Sequence, residues 1–139
     1  MGNAAVEFTT KLLPTVLLVD SDLGFVFWLG RALDGAGFEA LPAKTTRDAT
    51  SLVEDYHLSV DLLIINPALT GAQRLVRLLR RSRSSMKVIA TLDPEATLDP
   101  EHAWVDGVGH RPRELTDESR REWVRIVQCM LPGRASGSP

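Results

Sequence analysis

Short apolar runs alternate along this chain with segments whose apolar residues recur every three or four positions, a pattern that predicts strand–helix units in series. Thr15 to Val19 is β-branched and apolar, a strand ending at Asp20. From Asp22 to Ala36, residues Phe25, Trp28, Leu29, Ala32 and Leu33 recur at helical spacing, which leaves Val26 at the margin and Phe27 pointing outward. Gly35 and Gly37 close that helix, and Phe38 to Ala43 reads as a second strand. Thr45 or Thr46 caps a helix reaching about Tyr56. Asp61 to Asn66, an acid followed by four apolar residues and an amide, is a short strand of the kind buried on both faces of a parallel sheet. Thr70 to Arg83 follows as a helix with Leu75, Val76, Leu78 and Leu79 inward, then Lys87 to Thr91 as the fourth strand.

The rhythm falters after Thr91. Asp93-Pro94 and Asp99-Pro100 both interrupt it, because a residue before proline is biased away from helix, so a short or broken helix ending near Trp104 is expected. Gly107 to His110 is the fifth strand. Thr116 caps a last helix with Trp123, Ile126, Val127 and Met130 on one face and Pro132 at its end. Strands and helices in alternation predict an α/β fold, a doubly wound five-stranded parallel sheet with helices on both faces. One domain is expected over residues 14–132, after an N-terminal extension (1–13) and before a flexible, small-residue tail (133–139).

Composition adds mainly exclusions. The 139 residues suit a single core; 44% hydrophobic and 24% charged are ordinary globular values. A net charge of -2 gives no general pull toward nucleic acid or anionic membrane. Cys129 stands alone, so no internal disulfide and no cysteine-based zinc site are expected, and the helical pattern places it on the inner, packing side. His57, His102 and His110 lack metal-ligand spacing. Met1 to Thr10 has no secretory pattern, and no apolar run approaches the ~20 residues of a membrane span, so a soluble, cytoplasmic protein is expected.

Candidate chemistry gathers beyond the carboxyl ends of the strands, where doubly wound sheets bind ligands. Asp20, Ser21 and Asp22 follow the first strand, Asn66 ends the third, Thr91 the fourth, and Arg111-Pro112 follow the fifth. Val16-Leu17-Leu18-Val19-Asp20-Ser21-Asp22, Asp61 to Asn66 with Gly71 downstream, Val88-Ile89-Ala90-Thr91 and Gly109-His110-Arg111-Pro112 resemble, in order and spacing, the response-regulator receiver domain. The resemblance covers roughly Thr15 to Leu131 and implies a flavodoxin-like sheet in receiver topology.

In that family a nucleophilic aspartate takes a phosphoryl group, further acids hold magnesium, and a lysine neutralises the charge that builds up. Here Asn66 stands at the nucleophile's position, Ser21 at one acid's and Arg111 at the lysine's, with a planar fork in place of a compact ammonium. Thr91 matches the switch hydroxyl, although Leu92 could align there instead; Val108 stands where the family often has a reporting aromatic. An amide has no anionic oxygen to attack phosphorus and is a poor ligand for a hard cation, so no catalytic residue, metal or cofactor is expected. Asp20, Asn66 and Arg111 are expected to form a fixed cluster in which Arg111 pairs with Asp20 and donates to the Asn66 carbonyl. The resemblance also implies a cis bond before Pro112; a trans proline opening the last connection is the alternative.

These residues read as a degenerate, phosphorylation-independent receiver-like module that binds an unidentified signalling protein or a second copy of itself, in a two-component-type pathway. The resemblance implies a face made of the fourth helix, fifth strand and fifth helix. Candidate anchors are Phe27, Trp104 and the arginines Arg77, Arg80 and Arg81, with Trp123 adding to a docking surface. The arginine run lacks aromatic stacking residues, which disfavours nucleic acid, and no membrane partner is expected. The rival is a small-anion or nucleotide sensor at the strand-end pocket, held by Arg111 and helix N-termini. No paired acid and base, activated nucleophile or glycine-rich phosphate loop points to an enzyme.

Overall fold

A computed structural model describes residues 13–131. Most of the expected extension and all of the tail, with Pro132, lie outside the described residues. The elements are β1 (Thr15–Val19), α1 (Leu23–Gly35), β2 (Glu39–Ala43), α2 (Thr46–Tyr56), β3 (Leu62–Ile65), α3 (Ala72–Ser82), β4 (Lys87–Leu92), β5 (Gly107–His110) and α4 (Asp117–Met130). All strand pairs are parallel, in the order β2-β1-β3-β4-β5.

The period of two within each strand distributes the core. Val16, Leu18, Leu62 and Ile64 face α1 and α4, where they meet Phe25, Leu29, Leu33, Trp123 and Val127. Leu17, Val19, Leu63 and Ile65 face α2 and α3, against Leu75, Val76 and Leu79. Both faces of β1 and β3 are therefore apolar from Val16 to Val19 and from Leu62 to Ile65. Val26 is buried too, not marginal as its spacing suggested, because α1 is covered on two sides, by the sheet and by α4. Cys129, expected inside, is exposed: Trp123 and Val127 are the buried residues of α4, and Cys129 falls off that stripe.

Local chemistry fixes the helix starts. Asp22, Thr45 and Thr116 each accept a backbone N–H of the first turn, from Phe25, Asp48 and Ser119 respectively. Gly71 precedes α3 at φ 83, a left-handed conformation that favours glycine, and no side chain caps that helix. Between β4 and β5 a single 3-10 turn, Pro100–His102, replaces a helix, as the paired prolines demand. No α-helix therefore stands at the first element of the interaction face that the resemblance implied. Among the described residues, no helix is long and apolar enough to cross a membrane.

Candidate functional site

The sheet's order reverses at β1, which lies between β2 and β3, so the crevice beyond β1 and β3 is its topological switch point. Asp20 follows β1 and Asn66 follows β3, one on each side of that crevice; Thr91 in β4 and Arg111 after β5 lean in from the next strands. The structure thus gathers Asp20, Asn66, Thr91 and Arg111, and leaves Ser21 exposed at the rim.

Asp20 is buried, and both of its oxygens are fully engaged. Oδ1 accepts the Asp22 backbone N–H at 3.1 Å and the Asn66 Nδ2 at 3.4 Å. Oδ2 accepts the Thr91 hydroxyl at 2.9 Å and Arg111 Nη1 at 2.8 Å. A carboxylate offers about four lone-pair sites, so this one is saturated. Thr91 has one hydroxyl proton, which it gives to Asp20, while its oxygen accepts Arg111 Nη1 at 2.9 Å. Of the two neighbouring positions the sequence offered, it is Thr91 whose side chain meets Asp20 and Arg111.

Arg111 does not reach the Asn66 carbonyl, as the sequence suggested. That oxygen accepts the Ala68 N–H at 2.9 Å, closing a turn after β3, and only the amide nitrogen faces Asp20. The second nitrogen of Arg111 instead binds Asp93 Oδ1 at 2.6 Å. Asp93 is the site residue that sequence reasoning missed. The signal was available: a carboxylate two positions beyond Thr91 leaves the sheet at the same end as Arg111. Burial alone would lower the Arg111 pKa; its hydrogen bonds and charge pairing with Asp93 and Asp20 outweigh that and raise it above the ordinary arginine value. No described peptide bond is cis, so Pro112 follows Arg111 through a trans bond and opens the connection to α4, the alternative to the cis bond that the resemblance implied.

These donors do not suit a magnesium ion. Asp22 turns its carboxylate to the N-terminus of α1, Ser21 offers only a hydroxyl, and Asn66 presents its amide N–H side to Asp20. Asp20, the remaining carboxylate, already carries four donors, one of them cationic.

The wall behind β5 is closed as well. The Trp123 indole lies over Gly109, where a Cβ would collide with the ring, and its Nε1 donates to His110 O at 2.9 Å. Phe25 packs edge-on against it at 5.5 Å. Trp123 is therefore core, not docking surface, and Trp104 is half-buried against His102 and the core beneath α3. His110 Nε2–H donates to Ala96 O, 2.8 Å away, tying β5 to the loop after β4.

Of the surface anchors, Phe27 is 54% exposed, and Arg77 and Arg81 face solvent. Arg80 is half-buried and engaged: its guanidinium donates to Met86 O and to Asp106 Oδ2, at 3.2 and 2.9 Å.

Comparison with solved structures matches this architecture to response-regulator receiver domains. One is a chemotaxis response regulator of Vibrio cholerae: 18% identity, 83% of this chain and 98% of that one covered, TM-score 0.62. Another is a CheY-like receiver domain protein of Methanospirillum hungatei: 17% identity, 91% and 99% covered, TM-score 0.69. A third is an orphan response regulator of H. pylori: 20% identity, 85% and 96% covered, TM-score 0.65. At such identities the likeness establishes the fold: this chain has the CheY-like, flavodoxin-like receiver architecture. No family model matches the chain, and no curated protein matches it in sequence.

Proposed function

We propose that this chain is a phosphorylation-independent receiver-like module that acts by binding another protein, or a second copy of itself, in a two-component-type pathway. One observation carries the reading: the buried carboxylate of the crevice, Asp20, is saturated by Arg111, Thr91, Asn66 and the chain itself. A phosphoryl group needs a nucleophile, a metal site and an uncommitted hydroxyl and cation, and here each is missing or already engaged. The same commitment argues against an anion sensor at this place, because the Arg111 nitrogens that point inward serve Asp20 and Asp93.

A groove of about 760 Å³ between α1 and α4 offers a docking face. Phe27, Trp28, Ala36 and Val124 give it apolar surface, and Arg31 and Arg121 lie at its rim. Incubation with a small phosphodonor and magnesium, followed by intact-mass measurement, is expected to show no added phosphoryl group. A stoichiometric, magnesium-dependent adduct would overturn the reading. Asn66→Asp alone is expected to stay unphosphorylated, because its new carboxylate faces Asp20 across the former amide contact and loses the donor that Asp20 accepts. Adding Ser21→Asp and Arg111→Lys is expected to be needed before product appears. Phe27→Ala is expected to abolish capture of the partner with an unchanged circular dichroism spectrum.

A further inference from the structure

The arginine-rich stretch of α3 divides into two groups in the folded chain. Arg80 and Arg83 turn to the amino end of the sheet, where they pair with Asp106 and Asp61. Arg74, Arg77 and Arg81, at spacings of three and four, share one exposed side of the helix. They line a groove of about 650 Å³ whose opposite wall is α2, which contributes Arg47, Thr46, Thr50 and Ser51.

Among the described residues no acidic side chain lines this groove, and none of its four arginines lies in an ion pair. Two of the hydroxyls are committed, Thr46 to Thr70 O and Thr50 to Thr46 O, which leaves the guanidinium groups as the principal donors. Like charges held along one groove repel one another and are relieved by an anion, and the planar fork of arginine matches carboxylate bidentately.

The surroundings narrow the choice of anion. Acids flank the strip: Asp48, Glu54 and Asp55 are exposed elsewhere on α2, and Glu101 lines the adjoining groove beside Arg74 and Arg77. A nucleic-acid backbone, with phosphates spread over a wide surface, would meet those carboxylates. No aromatic side chain lines the groove to stack a base. Half-buried Leu78 lies in the lining instead, a contact for an aliphatic side chain.

We infer that the α2–α3 groove docks an acidic peptide segment of a partner protein, carboxylates on Arg47, Arg74, Arg77 and Arg81 and an aliphatic side chain against Leu78. The inference rests on the protein-binding reading above and names the chemistry of one contact.

Fluorescence anisotropy of the full chain with a labelled glutamate-rich peptide carrying leucine tests it, beside a polyaspartate and a single-stranded oligonucleotide of equal charge. The leucine-bearing peptide is expected to bind tightest. Arg74→Glu with Arg77→Glu is expected to weaken it by about tenfold or more. Lys87→Glu with Arg113→Glu, the same change of charge at exposed positions that line neither groove, is expected to leave it within about twofold. Circular dichroism checks that both variants fold, since all four side chains are exposed. Equal losses in the two variants, tighter binding of the oligonucleotide, or binding of none of the probes would overturn the inference. The phosphodonor experiment does not involve these arginines, so its outcome stands apart from this one.

Discussion

The two ends of the sheet use the same residue types in opposite ways. At the amino end, Asp61 accepts the Thr15 N–H at 2.7 Å and Asp106 accepts the Val88 N–H at 2.8 Å, each closing the start of a strand. Arg83 and Arg80 pair with these acids while remaining 43% and 31% exposed. At the carboxyl end, Arg111 and Asp20 are only 13% and 3% exposed. An arginine that keeps contact with water adds a modest contact, whereas a buried ion must have every donor and acceptor met or the fold suffers. The amino end is stapled; the carboxyl end is locked, and the lock lies at the switch point of the sheet.

The largest test of that contrast is Asp20→Ala. It leaves the Thr91 hydroxyl without its acceptor and Arg111 with Asp93 as its remaining carboxylate, and is expected to cost about 3 kcal/mol in urea unfolding. A loss under about 1 kcal/mol would mean that the crevice is wetter and looser than its geometry implies. Gly109→Ala comes next. The added Cβ must displace the Trp123 ring, an overpacking expected to cost about 1–3 kcal/mol and to change the near-ultraviolet circular dichroism. At the other end, Asp106→Ala removes the acceptor of Val88 N–H and the partner of Arg80, with an expected loss of about 1–2 kcal/mol. If this variant proves as damaging as Asp20→Ala, the distinction between staple and lock fails. Smallest is Arg81→Glu, an exposed side chain with no ion pair among the described residues, expected to shift stability by less than about 0.5 kcal/mol. Arg80→Glu is expected to cost clearly more than Arg81→Glu, although the two are adjacent in sequence.

The chain's own pattern determined the elements and their ends. Short apolar runs marked the strands, helical spacing marked α1, α3 and α4, and Thr116 marked the start of α4, because these depend on neighbours within a few residues. The choice of Thr45 over Thr46 as the cap of α2 came from the structure. Asp20, Asn66 and Arg111 were legible as strand-end groups for the same reason. Which atoms they touch was not. Lateral partners follow from strand order and register, which bring Thr91 and Asp93 to residues far from them in sequence. A long side chain such as Arg80 or Arg83 chooses its acid only once α3 has docked over the starts of β3 and β4. Trp123 was placed by period on the inner face, yet only the packing of α4 against β5 set it over Gly109 and took it out of the surface. Local preference fixes where a side chain leaves the backbone; what it meets there is decided by the tertiary fold.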